Sequence, residues 1–107
     1  MRCPHCATPI HEHEAGPCLD AWVEWERVGK RLREWDIDPW WQHMLDCYPK
    51  FSTDISAAWE LVEGMGGIHG FYPFAGGWYF CFYDGSCVGA PTAPLAICRA
   101  YIMSRGE

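Results

Sequence analysis

Positive charge is scarce in this chain: Lys and Arg number 8 against 14 Asp and Glu, which leaves a formal charge of −6 at pH 7. A mean field of that sign repels phosphate backbones and anionic membrane surfaces, so direct nucleic-acid binding is disfavoured. Long apolar runs are missing as well. No window approaches the roughly 18 residues of a membrane span, and Met1-Arg2-Cys3 opens no apolar stretch of signal-peptide length. The expectation is a cytoplasmic protein without membrane contact. Catalytic spacings are also absent. His43 and His69 have no carboxylate or cysteine at a distance that suggests a triad, and Gly64, Gly66, Gly67 and Gly70 run from helix to strand, the wrong order for a phosphate loop. The chain therefore reads as a non-enzyme.

What is present is apolar and aromatic. With 107 residues, half of them hydrophobic, there is material for one compact core and no room for a second full domain. Seven Trp, five Tyr and five Phe exceed what such a core absorbs, which points to rings at a partner or subunit interface and allows a homo-oligomer. Seven cysteines are an odd number, and one Cys-x-x-Cys pair stands among them. In a reducing compartment that pattern reads as metal ligands plus buried thiols rather than a disulfide framework, with Cys81, Cys87 and Cys98 as small core residues.

Periodicity sets the elements. Pro17 suits the first turn of a helix in which Leu19, Trp22, Val23, Trp25 and Val28 give an apolar face, ending near Gly29. The basic cluster Arg27, Lys30, Arg31 and Arg33 complements that helix's C-terminal end. Ser52-Thr53-Asp54 supplies caps for a second helix whose stripe is read as Ile55, Ala58, Trp59 and Val62, with Ile55, Trp59 and Val62 buried and Glu60 and Glu63 facing water. From Ile68 the period falls to two, and three antiparallel strands, 68–74, 78–83 and 86–90, are separated by Ala75-Gly76-Gly77 and Asp84-Gly85. Pro73 confines the first of them to an edge. Thr92 caps a last helix carrying Pro94 in its first turn and packing Leu95, Ile97, Cys98, Tyr101 and Ile102 on the sheet. The fold class is α+β: a three-stranded, or slightly larger, antiparallel sheet covered by helices.

Three stretches in order, Ala15 to Val23, Phe51 to Glu63 and Thr92 to Ala100, resemble the phage ABA sandwich domain family, and the likeness spans roughly Ala15 to Met103. The resemblance implies a phage or prophage origin and an α/β/α sandwich with helices on both faces of the sheet. It carries no agreed enzymatic role. The Trp-rich insert from Arg33 to Lys50 departs from the family pattern.

Two sets of residues remain as candidate sites. Cys3 and Cys6 can aim two thiolates at one ion from a tight turn, and a tetrahedral zinc site is closed either by His11 with His13 or by His13 with Cys18. Residues 1–14 then form a zinc knuckle ahead of a sandwich domain at 15–107, and the zinc is structural. Loss of Cys3 and Cys6 should leave that domain folded, its core beginning near Ala15. Trp35, Trp40 and Trp41, in a proline-bounded insert, are the candidate partner or ligand contacts. The expected function is that of a phage accessory binding protein acting by occupancy in the host cytosol, an inhibitor of a host defence component. The alternative is an oligomeric sponge for a nucleotide-like signal, gripped by tryptophans and by Arg99, Arg105 or the basic cluster.

Overall fold

The computed structural model describes residues 2–29, 50–65, 68–82 and 87–105. Trp35, Trp40, Trp41 and His43 lie outside these residues, as do Lys30, Arg31 and Arg33. In chain order the described elements are helix α1 (Pro17–Glu24) continued by a π-helical turn (Trp25–Gly29), helix α2 (Ile55–Met65), strands β1 (Ile68–Phe74), β2 (Gly77–Phe82) and β3 (Cys87–Ala90), and helix α3 (Ala93–Arg105). The fold is α+β. Its sheet is antiparallel and open, in the order β1-β2-β3, so Pro73 sits on an edge strand where its missing N–H costs no central ladder bond.

The first two helices each start where the sequence offers a device for starting them. Gly16 precedes α1 at φ 151°, a backbone region that side chains disfavour, and Pro17 follows as the first helical residue. Asp54 caps α2 by accepting the Ser56 amide on Oδ1 at 2.9 Å. Ser52 does not share in this capping. It is buried, its hydroxyl accepts the Gly16 amide at 2.9 Å, and its own amide donates to Asp20 Oδ1 at 2.7 Å, so it ties the approach to α2 onto α1. Burial raises the Asp20 carboxyl above the ordinary carboxylate range against the opposing effect of its bonds to Ser52.

The core gathers Leu19, Trp22 and Val23 of α1, Phe51 ahead of α2, Ala58 and Leu61 within it, Phe80 and Val88 of the sheet, and Ile97 and Ile102 of α3. Helix α3 is buried at every position from Leu95 to Ile102, because β2 and β3 lie against it on one side and α1 and α2 on others. The buried stripe of α2 is Ala58, Leu61 and Val62. Ile55 and Trp59 are each 46% exposed, which corrects the expected phase of that helix. Helix α2 packs on α3 with Ala58 fully buried, and Trp59 leans edge-on against Phe71 of β1, ring centroids 6.2 Å apart.

Along the strands, Phe71, Trp78, Phe80, Val88 and Ala90 share the face that meets the helices, as the register pairs Phe71 with Phe80, Phe80 with Val88 and Trp78 with Ala90. The alternate positions Tyr72, Phe74 and Tyr79 are exposed on the other face, Phe74 stacked on Tyr79 at 4.2 Å. No described helix covers that second face. On the same side Cys81 and Cys87 are direct register partners, Cα atoms 4.1 Å apart, and are joined in a disulfide. This corrects the expectation of two small core thiols: only Cys81 is buried, and strand register puts the sulfurs in bonding range.

Candidate metal centre

The N-terminal segment folds back on itself over very few residues. The Cys3 amide donates to the Thr8 carbonyl at 3.0 Å and the Ala7 amide to the Cys3 carbonyl at 2.9 Å, while Arg2 and Pro9 form a single antiparallel bridge. The turn requires a positive φ of 62° at Ala7, a conformation that costs a side-chain-bearing residue about 1 kcal/mol. Thr8 also pairs with the turn, its Oγ1 3.2 Å from Cys6 Sγ. A second turn follows, in which the Glu12 amide reaches the Pro9 carbonyl and the His13 amide the Ile10 carbonyl. Ile10 is buried in the common core, and His13 comes in behind it against Trp22, ring centroids 5.6 Å apart.

These two turns and the start of α1 bring Cys3, Cys6, His13 and Cys18 together, with one donor atom from each and all four within 4.8 Å of one another. His11 is exposed and stands outside the group, so of the two ways of closing the site the structure assembles the one with His13 and Cys18. The separations match a coordination polyhedron. A tetrahedron of sulfur ligands about 2.3 Å from a central ion has edges of about 3.8 Å, shortening to about 3.6 Å where one ligand is an imidazole nitrogen at about 2.05 Å. Cys3 Sγ to Cys18 Sγ is 3.8 Å, Cys18 Sγ to Cys6 Sγ 3.9 Å, and Cys6 Sγ to His13 Nε2 3.5 Å. The group can hold a metal ion.

Electrostatics divide the thiols. Burial pushes the Cys3 thiol up to about 12, whereas at Cys6 a smaller burial effect is outweighed by bonds to Thr8, Cys3 and Cys18, and the value falls to about 6. Three thiolates this close repel one another unless a cation lies between them. The imidazole is already turned toward the sulfurs, because Nδ1–H donates to the Glu14 carbonyl at 2.9 Å and leaves the Nε2 lone pair facing Cys6. His5, inside the first turn, places Nδ1 3.8 Å from Cys18 Sγ, at the rim of the group.

One residue of the site's surroundings carried no signal in the sequence. Arg99 of α3, expected from its type to be a ligand-gripping cation, is only 9% exposed and sends one nitrogen to the His13 carbonyl at 2.9 Å and another to the Gly89 carbonyl of β3 at 3.1 Å. Cys98, its neighbour, is a buried thiol raised well above the ordinary range by burial and belongs to the core. Arg27, of the basic cluster, pairs with Glu24 at 3.4 Å.

A family model, that of the phage ABA sandwich domain, matches residues 20–102. All four donors precede this stretch, and Arg99 falls within it. No curated protein and no solved structure matches the chain.

Proposed function

The chain belongs to the phage ABA sandwich domain family, and from that premise we propose that it is a small phage accessory protein which acts by occupying a host protein, on a scaffold clamped by one structural zinc ion. The donor set carries the reading. Three thiolates and one imidazole suit zinc among the common divalent metals, and four protein ligands close the tetrahedron, leaving no position for water or substrate. A closed site of this kind stabilises and does not catalyse.

Action by occupancy is supported by the surplus of rings at the surface. Tyr72, Phe74 and Tyr79 on the open sheet face and Trp59 on α2 are exposed aromatic rings, the kind that interface hot spots draw on; Trp35, Trp40 and Trp41 lie outside the described residues and are proposed contacts on sequence grounds alone. The net charge of −6 favours a basic protein surface over nucleic acid as the partner. In the host cytosol, the proposed place of action, Cys81 and Cys87 would stand as a dithiol across β2 and β3.

Native mass spectrometry of freshly purified protein, paired with a panel of host defence systems challenged by phage, tests the proposal. The expected result is one zinc per chain, no retained small molecule, and relief of at least one defence. A nucleotide-like ligand surviving purification would turn the reading to the sponge, and metal-replete protein without zinc would remove the clamp.

A further inference from the structure

Arg99 presents a problem in electrostatics. A guanidinium nine-tenths buried is costly unless charge and hydrogen bonds compensate it, yet among the described residues no carboxylate lies within ion-pair distance of it and its Nε has no partner. Burial lowers its affinity for its own proton. What it does have is two backbone carbonyls, one from the metal-binding segment and one from the edge strand β3.

The first carbonyl belongs to His13, whose ring supplies the nitrogen donor of the cluster. Three thiolates around a divalent ion would leave one net negative charge, a counter-charge that no described carboxylate provides. We infer that Arg99 is a positioning residue of the metal centre: it holds His13 from behind through the backbone, and by holding Gly89 with the same fork it makes metal binding and the seating of β3 on α3 a single equilibrium. The inference rests on the zinc reading above. Its consequence is reciprocal, as any linkage between two sites must be: a metal that favours the seated form tightens β3, and a seated β3 raises affinity for the metal. Lysine cannot take this place, since a single ammonium does not span two carbonyls in a fixed fork.

The test measures both directions. Zinc affinity, read by competition with a chromogenic chelator, should fall about tenfold in Arg99→Lys and up to about a hundredfold in Arg99→Met, the range typical of outer partners of metal ligands. In the wild-type protein, stripping zinc with a chelator should raise amide exchange both at residues 11–14 and at 88–90, two segments that no described backbone bond connects. Equal zinc affinity in wild type and Arg99→Lys, or unchanged exchange at 88–90 when the metal is stripped, overturns the inference. Should Arg99→Met fail to fold, the lysine variant and the wild-type exchange decide. A wild-type protein that takes up no zinc is a different outcome, visible in its metal content, and removes the zinc reading together with what is built on it.

Discussion

In the N-terminal knuckle three sulfurs come within 3.9 Å along two edges and stay unbonded to one another, whereas in the β2–β3 hairpin two sulfurs meet and form a bond. The residue type is the same and the spacing in sequence is similar, three residues from Cys3 to Cys6 and six from Cys81 to Cys87. The difference lies in what else arrives. In the knuckle a third sulfur and an imidazole complete a polyhedron that holds the sulfurs at ion-sharing distance. In the hairpin the strand register makes the two cysteines face each other, and among the described residues no further thiol or imidazole groups with them as ligands do in the knuckle. Cysteine chemistry here is decided by the neighbours that topology delivers.

The comparison breaks most visibly on the knuckle side. Replacing Cys3 and Cys6 together with serine should abolish metal uptake by elemental analysis and lower stability by about 3 kcal/mol or more, because structural zinc supplies folding free energy. Sequence pattern set the core's start near Ala15, but Cys3 and Ile10 pack into the same buried cluster as Leu19 and Trp22, so the loss should reach the sandwich. On the hairpin side, reduction of Cys81–Cys87 opens a short loop and should cost about 2 kcal/mol in the chain-entropy account, with metal content unchanged. If reduction emptied the metal site, the two cysteine groups would not be independent. Trp59 sharpens the same side: half-exposed against Phe71, it should lose about 1 kcal/mol on change to alanine, well short of the roughly 3–5 kcal/mol of a fully buried tryptophan, as chemical denaturation would read. The smallest effect belongs to His11→Ala, which should leave zinc stoichiometry and melting temperature as they are; loss of metal in that variant would mean that His11 with His13, not His13 with Cys18, closes the site.

Much of this was legible in the sequence, and the illegible parts share a cause. The Cys3–Cys6 pair is local, so its spacing alone announces a ligand pair. The choice of His13 with Cys18 over His11 with His13 depends on the turn through Ile10, which buries that isoleucine and leaves His11 facing out, and on the start of α1, which delivers Cys18; nothing in the residue types says which way the turn rolls. Helical spacing in 55–62 identifies an amphipathic helix but not its phase, because Ile55-Trp59-Val62 and Ala58-Leu61-Val62 are overlapping stripes, and the second is the one the structure buries. Strand existence could be read from period two and hairpin glycines. The Cys81–Cys87 register could not, since one residue's slip would have sent the sulfurs to opposite faces. Arg99 is the extreme case: its role joins residues 13, 89 and 99, and no local pattern contains that triangle.

The open sheet has two borders, and each carries something that spoils it as a template for growth. On β1 the pairing with β2 is irregular between Ile68 and Gly70, and Pro73 offers no amide to an incoming strand. On β3 the strand is only four residues long, and the Gly89 carbonyl is already engaged by the Arg99 guanidinium. A sheet whose outer face is lined with Tyr72, Phe74 and Tyr79 would otherwise invite fibrillar stacking of chain upon chain. The same arginine that reaches the knuckle therefore also occupies a backbone acceptor of β3, so one side chain serves the metal segment and the sheet border together.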